Sequence, residues 1–440
     1  MTMNNSTLLV GTGTSATGSA TLLNHQGIPF DFCDDQEIQK DRLDALTKLG
    51  GRLIGQKDID PKDYQTMIVS PGIPPNHPLL LKAQSSGLNP CIEIDHASHF
   101  LSQDTKYFGI TGTNGKSTIC KILEHLLTMS GREAIACGNI GRPLSIEAIE
   151  PNPRSYIPVE LSSYQLEYLK KPTLEAGVFE NFDKDHLERH KDLRSYFLAK
   201  WNMVGLIKPD GLLMTSPHIM ELAEYYGAPI PREIKILLLN SSKNAPRVSN
   251  DQFIMGTQTV SLAQSTLLGS HNKTNTALVM ALLHKLYNVS LDEMATAMAS
   301  FKGLPFRFEK VPTGGETLVI NDSKSTNVAS TVAALKALGK PCVLLIGGLS
   351  KGDSFAQLEE FKTQIKSLCI FGESAQIIRN QLPQSMTPEV FSSLKAALES
   401  LPNILPDPCP TILFSPGCAS FDEFENFSKR GDFFNQNLRL

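Results

Sequence analysis

The chain has no paired-cysteine motif, no lysine- and arginine-rich block and no apolar run approaching a membrane span, and aromatics make up only 7% of it. Its eight cysteines, Cys33, Cys91, Cys120, Cys137, Cys342, Cys369, Cys409 and Cys418, are scattered, and none forms C-x-x-C. That scatter excludes a zinc ribbon or a redox dithiol read from spacing. A net charge of -4 from 41 basic and 45 acidic residues argues against a general nucleic-acid surface. Met1 to Thr7 lacks a basic start and a long apolar core, so no signal peptide is expected. The missing span and unpaired thiols lead us to expect a cytoplasmic protein. With 440 residues, 41% hydrophobic and 20% charged, the chain is an ordinary globular one of two to four domains.

What is present centres on Gly109 to Thr118, read Gly-Ile-Thr-Gly-Thr-Asn-Gly-Lys-Ser-Thr. The apolar lead-in Tyr107-Phe108-Gly109-Ile110 predicts the end of a buried strand, and Ile119 to Leu127 has helical spacing. A glycine-rich turn between strand and helix gathers backbone N–H groups at a helix N-terminus, where anions bind well. Lys116 adds a point charge where a β- or γ-phosphate sits, and Ser117 or Thr118 supplies a hydroxyl for Mg²⁺. The form T-G-T-N-G-K-S-T is shorter than the strict P-loop.

Upstream, Thr7-Leu8-Leu9-Val10 predicts a strand running into Gly11-Thr12-Gly13-Thr14-Ser15-Ala16 and a helix to about Asn24. A second strand, Phe30 to Cys33, ends in Asp34-Asp35 about twenty residues on, the dinucleotide-type pattern in which an acidic residue meets a ribose or another polar group. Alone the motif equally describes a packing turn. Thr66 to Val69 predicts a further strand. Downstream of the P-loop, Ala134 to Cys137 predicts a strand before Gly138-Asn139-Ile140-Gly141. Ile157 to Gln165 then places Glu160 at a strand end, as a Mg²⁺-holding carboxylate beside a cap cluster at Ser162 and Ser163. His186 lies among carboxylates after the strand Ala176 to Phe179, open to a second metal or a substrate phosphate. Lys200 falls in a helix from Tyr196 to Trp201, where spacing alone makes it a surface lysine. Asn272 and Asn275 sit one turn apart at the start of a long helix predicted from Thr276 to about Tyr287. Leu304 to Glu309 reads as a linker into a third alternating stretch with strands at 317–321, 343–348, 369–372 and 411–417.

Taken together, the pieces Gly112 to Thr118, Glu160-Leu161-Ser162-Ser163, Asp185-His186, Gly269-Ser270-His271-Asn272, Pro305 to Glu309, Asn321 to Asn327 and Ser415 to Phe424 resemble the Mur ligase family, in family order and over nearly the whole chain. The resemblance implies an α/β chain of three domains. These are a Rossmann-like UDP-sugar-binding domain over 1–97, a central P-loop ATPase-like domain with a parallel sheet over 98–303, and a Rossmann-like α/β amino-acid-binding domain over 304–440. It also implies an ATP-dependent amide ligase of cytoplasmic peptidoglycan precursor synthesis, acting as a monomer. The branch it most resembles takes UDP-N-acetylmuramoyl-L-alanine and D-glutamate and forms an acyl-phosphate intermediate.

The resemblance further implies roles. Lys116, His186 and Lys200 are the catalytic set. Gly112, Thr113, Asn114, Gly115, Lys116, Ser117, Thr118, Asn272, Arg307 and Asp322 would bind ATP. Ser117 and Glu160 would help hold one Mg²⁺, and His186 with a CO₂-derived carbamate on Lys200 a second. Gly13, Thr14, Ser15, Asp34 and Asn139 would face the UDP-sugar, and Thr326, Lys351, Ser420 and Phe427 the D-glutamate. Leu349, Phe306 and Gln36 depart from the family pattern. Related readings are a folylpolyglutamate synthase, a P-loop switch and a nucleotide-sugar sensor; a requirement for both co-substrates separates them.

Overall fold

The computed structural model describes residues 6–263, 265, 267–314, 316–406 and 411–439, so Cys409 lies outside the described residues. It divides into two compact units, one made of 1–263 with 275–298 and the other of 264–274 with 299–440.

The first unit holds two parallel sheets and a small antiparallel one. Short, mostly apolar strands with few polar alternations suit a sheet covered on both faces. In the first sheet, β1 (Thr7–Val10), β2 (Phe30–Cys33), β3 (Arg52–Leu53), β4 (Thr66–Val69) and β5 (Pro90–Cys91) run parallel in the order β3-β2-β1-β4-β5. The order reverses at β1, so the Gly11 turn opens into a crevice between β2 and β4. The second sheet comprises β6 (Lys106–Thr111), β7 (Cys137–Gly138), β8 (Tyr156–Glu160), β9 (Leu174–Phe179), β10 (Ile207–Thr215) and β11 (Lys235–Leu238), in the order β11-β10-β9-β6-β8-β7. All its pairings are parallel. Its reversal falls at β6, whose C-terminal end therefore opens between β8 and β9. One continuous apolar cluster, from Leu8, Val10 and Val69 through Ile94 and Leu144 to Val159, Phe179 and Leu213, joins the two sheets. β12 (Arg247–Ser249), β13 (Gln252–Met255) and β14 (Gln258–Ser261) form an antiparallel meander.

The second unit carries β15 (Glu309–Val311), β16 (Leu318–Asn321), β17 (Cys342–Gly347), β18 (Ile365–Phe371), β19 (Glu389–Val390) and β20 (Thr411–Gly417), in the order β15-β16-β20-β17-β18-β19. Only the β15–β16 pair is antiparallel. Apolar clusters cover both faces of this sheet.

Three expectations shift. The strand predicted over 134–137 is reduced to Cys137–Gly138, with a lone bridge from Ala134 to Tyr156. The long helix begins at Ser270 rather than Thr276 and runs to Tyr287. β18 starts at Ile365, four residues before the apolar core Cys369-Ile370-Phe371 that marked it.

Candidate functional site

At the end of β6 the chain turns through Gly112 (φ 149) and Gly115 (φ 80), backbone conformations that L side chains rarely adopt. Gly115 caps the helix Lys116–Met129, whose first-turn N–H groups open at the reversal of the second sheet. The front of the loop is pinned internally. The Thr113 and Asn114 N–H groups donate to Asn181 Oδ1, at 3.1 and 2.9 Å, and Thr113 Oγ1 donates to Asp183 O. Lys116 Nζ donates to the loop carbonyls of Gly112 (3.0 Å) and Thr113 (2.7 Å). Asn181 was not foreseen; it lies in the polar stretch after β9, and no spacing rule marks it.

On the β8 side, the buried Ser117 hydroxyl donates to Glu160 Oε2 at 2.5 Å. Asn139 Nδ2 donates to Glu160 Oε1 at 3.0 Å. Ser162 caps the short helix after β8 in a capping box with Gln165, so the cap cluster and the strand-end carboxylate coexist. Lys200 departs from the surface default: it is 1% exposed, and its Nζ donates to Gly112 O at 2.7 Å and lies 4.7 Å from the centre of the Tyr196 ring. It is buried because the helix Leu193–Trp201 also buries Tyr196, Phe197 and Trp201, and its long stem shares that face. Burial first, then Lys116, hold its ammonium well below the usual lysine range, while Asp185 and Glu160 pull the other way. His186 takes a left-handed backbone (φ 53), with Nδ1 3.3 Å from both Tyr164 Oη and Glu188 Oε1.

A hydroxyl and a carboxylate in contact at the end of a P-loop suit Mg²⁺, which keeps several waters and takes few protein ligands. Among the described residues, no cluster of three or more His, Cys, Asp and Glu is arranged as a complete metal cage. The Ser117 hydroxyl and the Glu160 carboxylate, both oxygen donors, fit such a Mg²⁺ ion.

In the first sheet, Gly13 caps the helix Thr14–His25, and Thr14 and Ser15 occupy its first turn. Asp34 Oδ2 accepts from the Thr12 N–H (2.8 Å) and hydroxyl (2.7 Å), so this carboxylate braces the glycine turn.

The second unit gathers another constellation at the C-terminal ends of β16, β17 and β20. Asp322 is buried and accepts from Phe308 N, Ser325 Oγ and Ser415 Oγ. Arg307, in the turn before β15, exerts an attraction on it. Leu349 and Ala419 exchange two backbone bonds of 2.9 Å, which ties the Lys351 loop to that of Ser420. Ser323 Oγ donates to Phe427 O at 2.8 Å, and Lys324 Nζ stands 4.5 Å over the Phe427 ring. Thr326 is half-buried, Ser420 buried and Lys351 exposed. Asn272 is buried in the same unit, donating to Leu268 O at 2.8 Å. Sequence reasoning missed Arg430. Its wholly buried guanidinium donates to Cys418 O, Ala419 O, Ser323 O and Ser323 Oγ, holding these loops together.

Comparison with known proteins gives three findings. Residues 110–283 match the Mur ligase middle domain. Over their length, relatives named "UDP-N-acetylmuramoylalanine--D-glutamate ligase" are similar to the chain. The protein from Prochlorococcus marinus (strain MIT 9312) is 30% identical, covering 98% of this chain and 96% of its own. That from Gloeobacter violaceus is 31% identical, covering 97% of each. In fold, the chain is similar to MurF from Acinetobacter baumannii (TM-score 0.63, 15% identity, 96% and 92% covered). It is also similar to the UDP-N-acetylmuramate-alanine ligase of Thermotoga maritima (TM-score 0.60, 17% identity, 98% and 99% covered).

Proposed function

Since the chain belongs to the Mur ligase family, we propose that it joins D-glutamate to UDP-N-acetylmuramoyl-L-alanine at the expense of ATP, in peptidoglycan precursor synthesis. Full-length similarity to ligases of that name supports the choice of amino acid. The observation that carries the chemistry is the contact of Ser117 with Glu160 at the mouth of the glycine loop, beside the buried Lys200.

A carboxylate is a poor electrophile, so it must be activated before an amine can condense with it. The substrate's alanyl carboxylate attacks the γ-phosphate of ATP and becomes an acyl phosphate, with ADP leaving. The D-glutamate amine then attacks the acyl carbon, loses a proton, and expels phosphate. The first step brings two anions together. The first-turn N–H groups at Gly115 to Thr118, with Lys116, bind and orient the phosphates and offset that repulsion. Bound Mg²⁺ would supply further charge neutralisation at the transferring phosphoryl. Ser117 and Glu160 would hold one such ion, and His186 with a carbamylated Lys200 a second. A neutral amine is the form that takes up CO₂, and burial favours that form of Lys200.

In this reading Asn272, Arg307 and Asp322 also serve ATP. Gly13, Thr14, Ser15, Asp34 and Asn139 serve the UDP-sugar, Asp34 and Asn139 by bracing the surrounding turns. Thr326, Lys351, Ser420 and Phe427 receive D-glutamate. The three functional domains are 1–97, 98–303 and 304–440, in a cytoplasmic monomer. Among the described residues, no helix is long and apolar enough to cross a membrane.

Purified protein with Mg²⁺ and ATP should release phosphate only when UDP-N-acetylmuramoyl-L-alanine and D-glutamate are both present, and K116A should lose at least 99% of that rate, about 3 kcal/mol. Phosphate release that needs neither co-substrate, or folate dependence, would refute the reading.

A further inference from the structure

Across the loop from Glu160, at the end of β9, a second carboxylate has no place in the scheme above. Glu180 is half-buried as a residue, but its Oε2 is sealed from solvent and has no hydrogen-bond partner among the described residues. It reaches the outer side of Gly115: a Cβ there would lie 3.5 Å from Glu180 Oε2 and 3.2 Å from Asn275 Oδ1. Buried carboxylates normally carry partners, because leaving one unsatisfied costs several kcal/mol, about 1–3 even for a neutral group. An orphaned oxygen beside a phosphate cradle therefore points to a partner that arrives with the ligand.

The charge of that oxygen decides what the partner is. The groups facing it are Lys116 at the start of the P-loop helix, Asp183 in the loop after β9, and the neutral Asn275 from the long helix. Burial first, and Asp183 second, push the Glu180 carboxyl up to about 8, against the pull of Lys116. A neighbouring polyphosphate pushes the same way, since an ionised carboxylate beside it is repelled at short range. The neutral acid has an O–H to donate, and a phosphate oxygen accepts strongly.

We propose that Glu180 binds the nucleotide as a protonated carboxylic acid, donating a hydrogen bond to the polyphosphate from the side of the cradle opposite Glu160. The inference rests on the ATP-cradle reading. Ionisation of Glu180 removes the donor and sets a negative charge against the ligand, so nucleotide affinity falls in alkaline solution.

The test uses the full-length protein and ADP at saturating magnesium, titrated from about pH 7 to about pH 9.5. Wild-type affinity should weaken about tenfold per pH unit beyond the titration of Glu180, as the competent fraction shrinks. E180Q keeps a donor that cannot ionise, so it should hold the neutral-pH affinity and lose the alkaline fall. E180L should bind about five- to tenfold more weakly at every pH, without a slope. Calorimetry of the wild-type protein in two buffers at about pH 8.5 should show proton uptake on ADP binding, a readout that needs no variant. An E180Q profile as steep as wild type, a loss beyond tenfold in E180Q at neutral pH, or no proton uptake would each overturn the inference. Wild-type protein that binds no ADP at any pH would sink the cradle reading along with it; normal binding with no Glu180 dependence sinks this inference alone.

Discussion

Asp322 is buried beneath the turn before β15 with three donors aimed at its carboxylate. Burial nevertheless pushes its carboxyl up to about 6, against the pull of Ser325, Ser415, Phe308 and Arg307. A carboxyl whose folded value exceeds its unfolded one stabilises most when protonated. Its contribution is complete below about pH 4 and is lost as pH rises through about 6. The full swing is on the order of 3 kcal/mol. Urea midpoints of the full-length protein should therefore fall between pH 4 and 6.5, and D322N should flatten that fall; an unchanged slope in the variant would contradict it. At this scale the sequence was uneven. Lys116, Ser117 and Glu160 stood out because strand, glycine turn, lysine, hydroxyl and carboxylate came in a readable order. Burial of Lys200 did not stand out: helical spacing describes one helix, whereas the burial comes from tertiary packing around Tyr196 and Gly112. Asn181 and Arg430 were silent for the same reason, since both act on groups that only folding brings to them.

Among elements, the apolar strands β1, β2, β4, β6, β8, β9, β17 and β20 were legible, because parallel strands covered on both faces are nearly unbroken hydrophobic runs. The β12–β14 meander was passed over. Its strands are short and mostly polar, although Asn250 (φ 53) and Gly256 (φ 60) mark two turns with positive φ of the kind hairpins need. The register of β17 makes a sharper demand. Gly347 has φ 146, and a Cβ there would come 2.0 Å from Phe371 O on the paired strand β18. Backbone cannot step aside inside a paired sheet. G347A should cost about 2–4 kcal/mol in denaturant unfolding, and a variant of wild-type stability would show that the β17–β18 register is not as described.

The whole molecule draws together what no single stretch displays. The three alternating strand–helix stretches were visible in the sequence, and each carries a sheet that is parallel but for the β15–β16 pair. The apolar continuity between the first two sheets was not visible, since Leu8, Ile94, Leu144 and Val159 meet only after folding. A polar clamp accompanies it. Arg189 donates to Pro71 O, Gly72 O and Ile73 O beyond β4, pairs with Glu167 at 2.6 Å, and stacks 4.9 Å over Tyr164, which itself touches His186. Removing it should free the 71–73 turn while leaving the P-loop intact. A Cβ on Gly11 would lie 3.6 Å from Ile73, so the 71–73 turn borders the glycine turn proposed to take the UDP-sugar. R189A should thus raise KM for the UDP-sugar by about tenfold, roughly 1.4 kcal/mol, with KM for ATP changed little; equal changes in both would argue for general loosening.

The amide oxygen of Asn181 takes the Thr113 and Asn114 N–H groups of the glycine loop, and Lys116 rests on the Gly112 and Thr113 carbonyls. The loop is thus braced by its own side chains and by Asn181, and a phosphate chain at the helix mouth would compete for the Lys116 ammonium with those two carbonyls. A small lone anion offers the lysine little to replace two good acceptors, whereas a chain of phosphates reaching along the helix mouth offers several oxygens at once. Competition binding should therefore find ATP held at this cradle in preference to inorganic phosphate.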